Sequence, residues 1–198
     1  MKEIKVKITM IEPILVTASN DKEIHANFIA SNAPDAPSRE EEIEAVGVDE
    51  VIEKAMTVFS RTADGLPMLW DYQIKGFFKD ACGCLKRVPG TCSNKLKAYK
   101  KEIDGLIFVA ERQIPILTGE PITSCQRPLR AQTAQGERVS LANSEQIAAG
   151  ATMEFTVQIL KDDLKASVLE WLDYGRLRGL GQWRNSGKGR FTYEIIEE

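Results

Sequence analysis

The sequence predicts an α+β domain, an antiparallel sheet with two helices on one face, interrupted by β-hairpin and loop insertions. Three observations predict it. Residues 2–11 alternate strictly, with Ile4, Val6, Ile8 and Met10 on one side and Lys5, Lys7 and Thr9 on the other, the period of a half-buried strand. Met153, Phe155, Val157 and Ile159 alternate in the same way. Two other stretches, WDYQIKGFFKDACGCLKR and DDLKASVLEWLDYGRL, carry apolar residues at helical spacing instead.

Taken in order, residues 2–11 are the first strand. Residues 17–50, with SNAPDAPSREEE inside them, read as an irregular exposed stretch. Lys54 to Thr62 reads as a strand closed by the turn ADG. In the first helix Asp71 is placed to cap the N-terminus. Ile74, Phe77, Phe78, Ala81 and Leu85 form its apolar stripe, and Lys75, Lys79, Cys82 and Lys86 lie on another face. KLKAYKKEI allows one more helical turn, and Gly105 to Leu117 reads as a strand ending near Pro115. Residues 127–147 read as two short strands about the turn AQG. A core strand follows Gly150, then a second helix with Leu164, Val168, Trp171 and Leu172 inward, then a last strand in RFTYEII. With insertions at about 17–62 and 119–148 set aside, a single domain over 1–198 has the order strand, helix, strand, strand, helix, strand. That is the order of a ferredoxin-like, or RRM-like, sandwich.

Composition bounds the function. At 198 residues, 43% hydrophobic and 28% charged, the chain is globular rather than disordered, collagenous or coiled-coil. No apolar run reaches the ~20 residues of a membrane helix. MKEIKVKITM lacks the pattern of a signal peptide, so no membrane partner and a cytoplasmic location are expected. The net charge of −3 conceals segregation. Residues 35–53 hold eight acids and one base, residues 73–101 eight bases and one acid, and residues 171–190 five bases and one acid. Local basic surface, rather than net charge, attracts a polyanion; solvated faces that balance one another are the alternative.

The stretch YGRLRGLGQWRNSGKGRF, residues 174–191, carries the most information. Gly175, Gly179, Gly181, Gly187 and Gly189 are interleaved with Arg176, Arg178, Arg184, Lys188 and Arg190, and with the polar Gln182, Asn185 and Ser186. Glycines at positive φ bring backbone N–H groups close to a ligand, and successive free amides make an anion nest. Arginine adds bidentate phosphate contacts, and Trp183 offers a flat face to a base. The alternative is a helix-to-strand connection with Trp183 in the core. The loop is neither a dinucleotide-binding fingerprint, since it follows a helix and feeds a strand, nor a Walker A loop, since Gly189 follows Lys188.

GLGQWRNSGKGRF resembles the C-terminal Gly-rich motif of the RAMP superfamily, the RNA-binding backbone subunits and guide-RNA-processing nucleases of CRISPR systems. GLPMLWDYQIKGFFKDA is similar to the segment where a short hairpin enters the first helix of the backbone subunits. There Ile74, Lys75 and Gly76 stand for a Leu-Lys-Gly, and Gln73 replaces a serine. RPLRAQTAQGERVSLANSEQIAAGATMEFTV is similar to the family's Arg-containing strand, hairpin and final core strand. The whole chain also resembles a type encoded by phages and prophages. The resemblance implies an RRM-like sheet binding single-stranded nucleic acid, RNA or DNA, as an oligomer along the strand. By position it implies contacts from Lys75 and Lys79, from Arg127 and Arg130, and from the loop Gly179 to Arg190. A phage copy that mimics a backbone subunit and blocks a host nucleoprotein complex is a second implication; there the acidic run 35–53 meets a basic partner.

Catalysis has one candidate. His25, the only histidine, falls where processing nucleases of the superfamily place a general acid or base for the RNA 2′-OH; Asp21 lies in the same stretch. The expectation is a non-catalytic binder. Cys82, Cys84, Cys92 and Cys125 raise a zinc question, but C-x-C and C-x7-C are not the paired spacing of structural zinc sites. Thiols without a metal, and no cofactor, are expected.

Overall fold

The computed structural model describes residues 1–16, 18–19, 56–133 and 136–197, with the backbone alone for 18–19, 129–133 and 136–140. In chain order the strands and helices are β1 (Lys2–Met10), β2 (Ile14–Leu15), β3 (Ala18–Ser19), β4 (Thr57–Val58), β5 (Ser60–Arg61), β6 (Pro67–Trp70) and α1 (Asp71–Leu85). Then come α2 (Tyr99–Leu106), β7 (Ile107–Val109), β8 (Gln113–Pro115), β9 (Thr123–Thr133), β10 (Gly136–Ile147), β11 (Thr152–Ile159), α3 (Leu164–Arg178) and β12 (Phe191–Glu197). Short 3-10 turns occupy Ser93–Lys95 and Arg184–Ser186. The chain divides into two compact units, Met1–Leu15 with Phe59–Ile122 and Ile147–Glu198, and Val16–Val58 with Thr123–Gln146.

The first unit is built on an antiparallel sheet in the order β12-β1-β11-β7. Numbered within the strand–helix–strand–strand–helix–strand succession, that is 4-1-3-2, so the expected ferredoxin-like α+β architecture is present. The alternation in β1 decides which face is buried. Ile4, Val6, Ile8 and Met10 lie inside, opposite or beside Val157, Phe155, Met153 and Phe191. A one-residue slip would turn all of them to water. Helices α1 and α3 supply the other half of this core: Phe77 meets Phe191 edge-on at 5.4 Å, and Phe78 lies 5.6 Å from Trp171. A second, three-stranded sheet, β5-β6-β8, feeds α1 directly from Trp70.

The side of the main sheet away from the helices carries, among the described residues, paired charge. Lys5 lies 3.9 Å from Glu154 and 4.0 Å from Glu197, and Lys7 lies 3.7 Å from Glu194. Gln158 donates to Glu3, and Thr156 donates through both its N–H and its hydroxyl to Glu111. Such exposed cross-strand pairs contribute a few tenths of a kcal/mol each. The outward side chains of the described central strands are Lys, Glu, Thr and Gln, so the stacking aromatics of an RRM sheet are not present there.

Several expectations change at the edges of elements. Asp71 does not cap α1. Trp70 is the N-cap, and the Gln73 side chain reaches back to accept from the Trp70 N–H at 2.8 Å. Cys82, not Leu85, completes the buried stripe: it is two turns beyond Ile74 and faces the Ser93 turn, while Leu85, the last helical residue, is half-buried. The span 105–117 is not one strand, because α2 runs to Leu106 and the strand is broken into β7 and β8. The region 57–61 holds two short strands on either side of the buried Phe59.

In the second unit the two short strands expected over 127–147 are a long hairpin, paired from Gly136↔Thr133 to Gln146↔Thr123. There β10 also pairs with β4, and β4 with β3.

Candidate nucleic-acid interface

The Gly-rich loop between α3 and β12 is a closed structure, and its glycines explain why. Gly179, Gly181, Gly187 and Gly189 all have positive φ. A Cβ on Gly189 would lie 1.8 Å from the Leu180 carbonyl oxygen, and one on Gly181 would lie 2.0 Å from that of Leu15. Close backbone approach therefore dictates the residue type here. The amides are engaged within the protein: Leu180 N–H donates to Gly189, Gly189 N–H to Pro13, Gln182 N–H to Leu15, and Ser186 and Gly187 N–H to Trp183 and Arg184. These glycines therefore do not offer the amides of residues 180, 182, 186, 187 and 189 to an anion. They dock the loop against the segment that follows β1, and they leave its side chains as the chemistry.

Those side chains divide into three groups. Arg178 and Arg184 converge on one carboxylate: Arg178 Nε is 2.9 Å and Arg184 Nη1 2.7 Å from Asp80 Oδ2, on α1. Arg178 also donates to Asn185 Oδ1 at 2.8 Å. Burial would raise the Asp80 carboxyl, but the hydrogen bonds and charge of the two guanidinium groups outweigh it and hold the pKa below its ordinary value. Arg178 is pushed upward, chiefly by its hydrogen bond to the same carboxylate.

The second group is exposed or half-exposed: Arg176, Trp183, Asn185, Ser186 and Lys188. Trp183 is 39% exposed and is the one described non-glycine residue at positive φ (54°), a conformation that costs about 1 kcal/mol. It is not a core residue. The third is Arg190, whose guanidinium lies over Gly187 and whose Nε is buried with no hydrogen-bond partner.

The first helix carries two of the expected lysines on the side that meets α2 and β7. Lys79 pairs with Asp104 of α2, and Lys75 donates to the Asp104 carbonyl and sits 4.6 Å above the Phe108 ring. Burial lowers the Lys75 pKa from its ordinary value. Structure therefore brings Asp80 and the loop arginines Arg178 and Arg184 together, which sequence separation hid, while Lys75 and Lys79 meet Asp104 and Phe108 instead. Asp80 was missed as a site residue. Its signal was that it is the one acid among eight bases in 73–101.

The other candidates lie elsewhere. Arg127 is 6% exposed in the second unit, where its Nη1 donates to Ser144 Oγ at 3.0 Å and Thr57 donates to the same oxygen at 2.6 Å. It is built into that unit rather than displayed. Arg130 lies on β9 opposite Val139. His25, Asp21 and the acidic run 35–53 fall outside the described residues. Cys82 is buried, and burial pushes its thiol up. Cys84 and Cys92 are half-buried, and Cys125 belongs to the second unit. Among the described residues no three of His, Cys, Asp and Glu come together as a metal site, and no helix is long and apolar enough to cross a membrane.

The Asp80 pair has a pH signature. Its folded pKa lies below the unfolded value of about 3.9, so its stabilisation is complete above that value and is lost as pH falls through the folded pKa. Wild type is therefore expected to exceed Asp80→Asn in unfolding free energy near neutrality, with the gap closing below about pH 4. Urea titrations across that range measure it; a gap that persists unchanged in acid would refute the assignment.

No family model and no curated protein match the chain. Among solved structures it is similar to a chain in the cryo-EM structure of the Type III-B Cmr-beta bound to cognate target RNA, with a TM-score of 0.53 and 13% identity. The match covers 99% of this chain and 60% of that one, so this chain spans less than two thirds of its neighbour's length. At that identity the likeness is one of fold, and it is consistent with the RAMP-like resemblance of the motifs.

Proposed function

We propose that this chain is a non-catalytic RAMP-type protein that binds single-stranded nucleic acid, RNA in the first instance, at the surface shared by α1 and the Gly-rich loop. The observation that carries the proposal is Arg190. A guanidinium Nε buried without an acceptor costs about 1–3 kcal/mol. The Nε is sealed from solvent, so in this half-buried residue it is the outer guanidinium nitrogens, rather than Nε, that would meet a phosphate. Lys188 lies two residues before it, and the Asp80 clamp, with two arginines on one aspartate, leaves more guanidinium than carboxylate at the loop. The bound RNA of the structural neighbour supports RNA over DNA.

The test compares Arg190→Met and Lys188→Ala with wild type for a short labelled oligouridylate over a range of salt. Arg190→Met is expected to bind at least tenfold more weakly while unfolding at the same or higher urea, because it removes a donor that folding leaves unpaired. Lys188→Ala is expected to lower the slope of log affinity against log salt by about one. Unchanged affinity in both variants sinks the proposal. Metal-independent cleavage of RNA hairpins, lost in His25→Ala, would overturn its non-catalytic part.

A further inference from the structure

At the other end of α1 stands a group that the loop does not use. Trp70 ends β6, and Tyr72 lies in the first turn of the helix two residues later. Their ring centroids are 6.4 Å apart and their planes only 12° from parallel. The pair is held in place from beneath. Trp70 Nε1 donates to Ser60 Oγ at 3.2 Å, and its backbone N–H is fixed by Gln73. The guanidinium carbon of Arg112 lies 5.7 Å from the Trp70 ring centroid, and Arg112 Nη1 is 2.9 Å from each oxygen of Asp71. Trp70 and Arg112 are thus positioned, while Tyr72 stays 56% exposed.

A single exposed tyrosine needs no explanation. Two near-parallel rings with a tethered guanidinium are different, because they preset the orientation of a stack to which one more flat group can add, with a cation beside it. What suits such a stack is a flat π system that is apolar on its face and polar at its rim, and a nucleobase is one. The helix adds a direction. Tyr72, Lys75 and Lys79 are spaced i, i+3, i+7 and so follow one another along one face of α1. An aromatic pair is followed at one-turn intervals by two ammonium groups, now held by Asp104 and Phe108, in the order in which a base is followed by its backbone phosphates.

We propose that Trp70, Tyr72 and Arg112 form a base-stacking site for one unpaired nucleobase, with the adjoining phosphates running toward Lys75 and Lys79. The proposal rests on the nucleic-acid reading above and names a second contact for the same ligand. Stacking supplies affinity without neutralising phosphate, so its signature differs from that of Lys188.

The test titrates the full chain with a short labelled oligouridylate, and with an abasic oligomer of the same length, at several salt concentrations. Tyr72→Ala is expected to weaken binding of the oligouridylate between about five- and one-hundred-fold, the worth of one stacked base. The salt slope should not change, Tyr72→Phe should restore the affinity, and the abasic oligomer should be indifferent to the substitution. Tyr72 is exposed, and an unchanged urea midpoint checks that the variant folds. Wild-type affinity in Tyr72→Ala, or an equal loss on the abasic oligomer, overturns the stacking site while leaving the loop proposal standing. Failure of wild type to bind either oligomer overturns both. A Tyr72→Ala defect confined to a proline-rich peptide, with oligonucleotide binding intact, would assign the pair to a protein ligand instead.

Discussion

Replacing Gly189 by alanine is expected to destabilise the chain by roughly 3 kcal/mol or more, one of the two largest losses anticipated here. Two penalties act together. The residue sits at φ 75°, where an L side chain is strained. Its new Cβ would also meet the Leu180 carbonyl oxygen at 1.8 Å. Relaxation is blocked because Leu180 N–H donates back to Gly189 at 2.8 Å, and the next residue but one, Gln182, is bonded to Leu15. Gly76 supplies the contrast. It lies inside α1 with nothing within 4 Å of its would-be Cβ, so Gly76→Ala should stabilise by about 1 kcal/mol through helix propensity alone. Urea denaturation of both variants checks the pair. A Gly189→Ala midpoint equal to wild type would mean that the loop yields easily, and it could not then hold Arg190 in place.

The other large effect belongs to Trp171, fully buried in α3. Trp171→Ala is expected to cost about 3–5 kcal/mol, since it deletes a large side chain packed on Phe78 and leaves a cavity that the sheet cannot fill. A polar network adds to it. Trp171 Nε1 donates to Ser93 Oγ at 2.8 Å, and Ser93 Oγ donates to Glu170 at 2.5 Å. The Glu170 carboxylate also accepts the N–H groups of Cys92 and Ser93. The turn after α1 is thereby pinned to α3. Ser93→Ala should cost about 1–3 kcal/mol by leaving the indole N–H without its acceptor. Trp171→Phe and Ser93→Ala should couple in a double-mutant cycle, because removing both partners strands neither. Strict additivity would show that the indole bond contributes nothing.

These cases show how much was legible in the chain. The two alternating strands and the two amphipathic helices were readable because a period of two or of 3.6 residues is a local consequence of which face meets water. The element order they impose leads directly to the 4-1-3-2 sheet. Short elements were not readable. The strands β7 and β8 are three residues each, and α2 ends inside an apolar run that reads as a strand, so tertiary pairing rather than propensity sets their limits. The loop was legible as glycine-rich and basic. The use of its glycines was not, because a positive φ and a contact at 2 Å depend on what lies opposite. The same holds for Arg178 and Arg184, which Asp80 joins from about a hundred residues away. It holds too for Arg112, which reaches Trp70 across the β6–β8 pairing.

By itself, then, the sequence determined the architecture and the segregation of charge, since both follow from patterns that repeat along the chain. Only the tertiary structure decided which basic groups are tied to carboxylates and which donor is left unpaired. It alone set the aromatic rings parallel. Those are properties of distance between residues far apart in the chain, and neither composition nor periodicity records them.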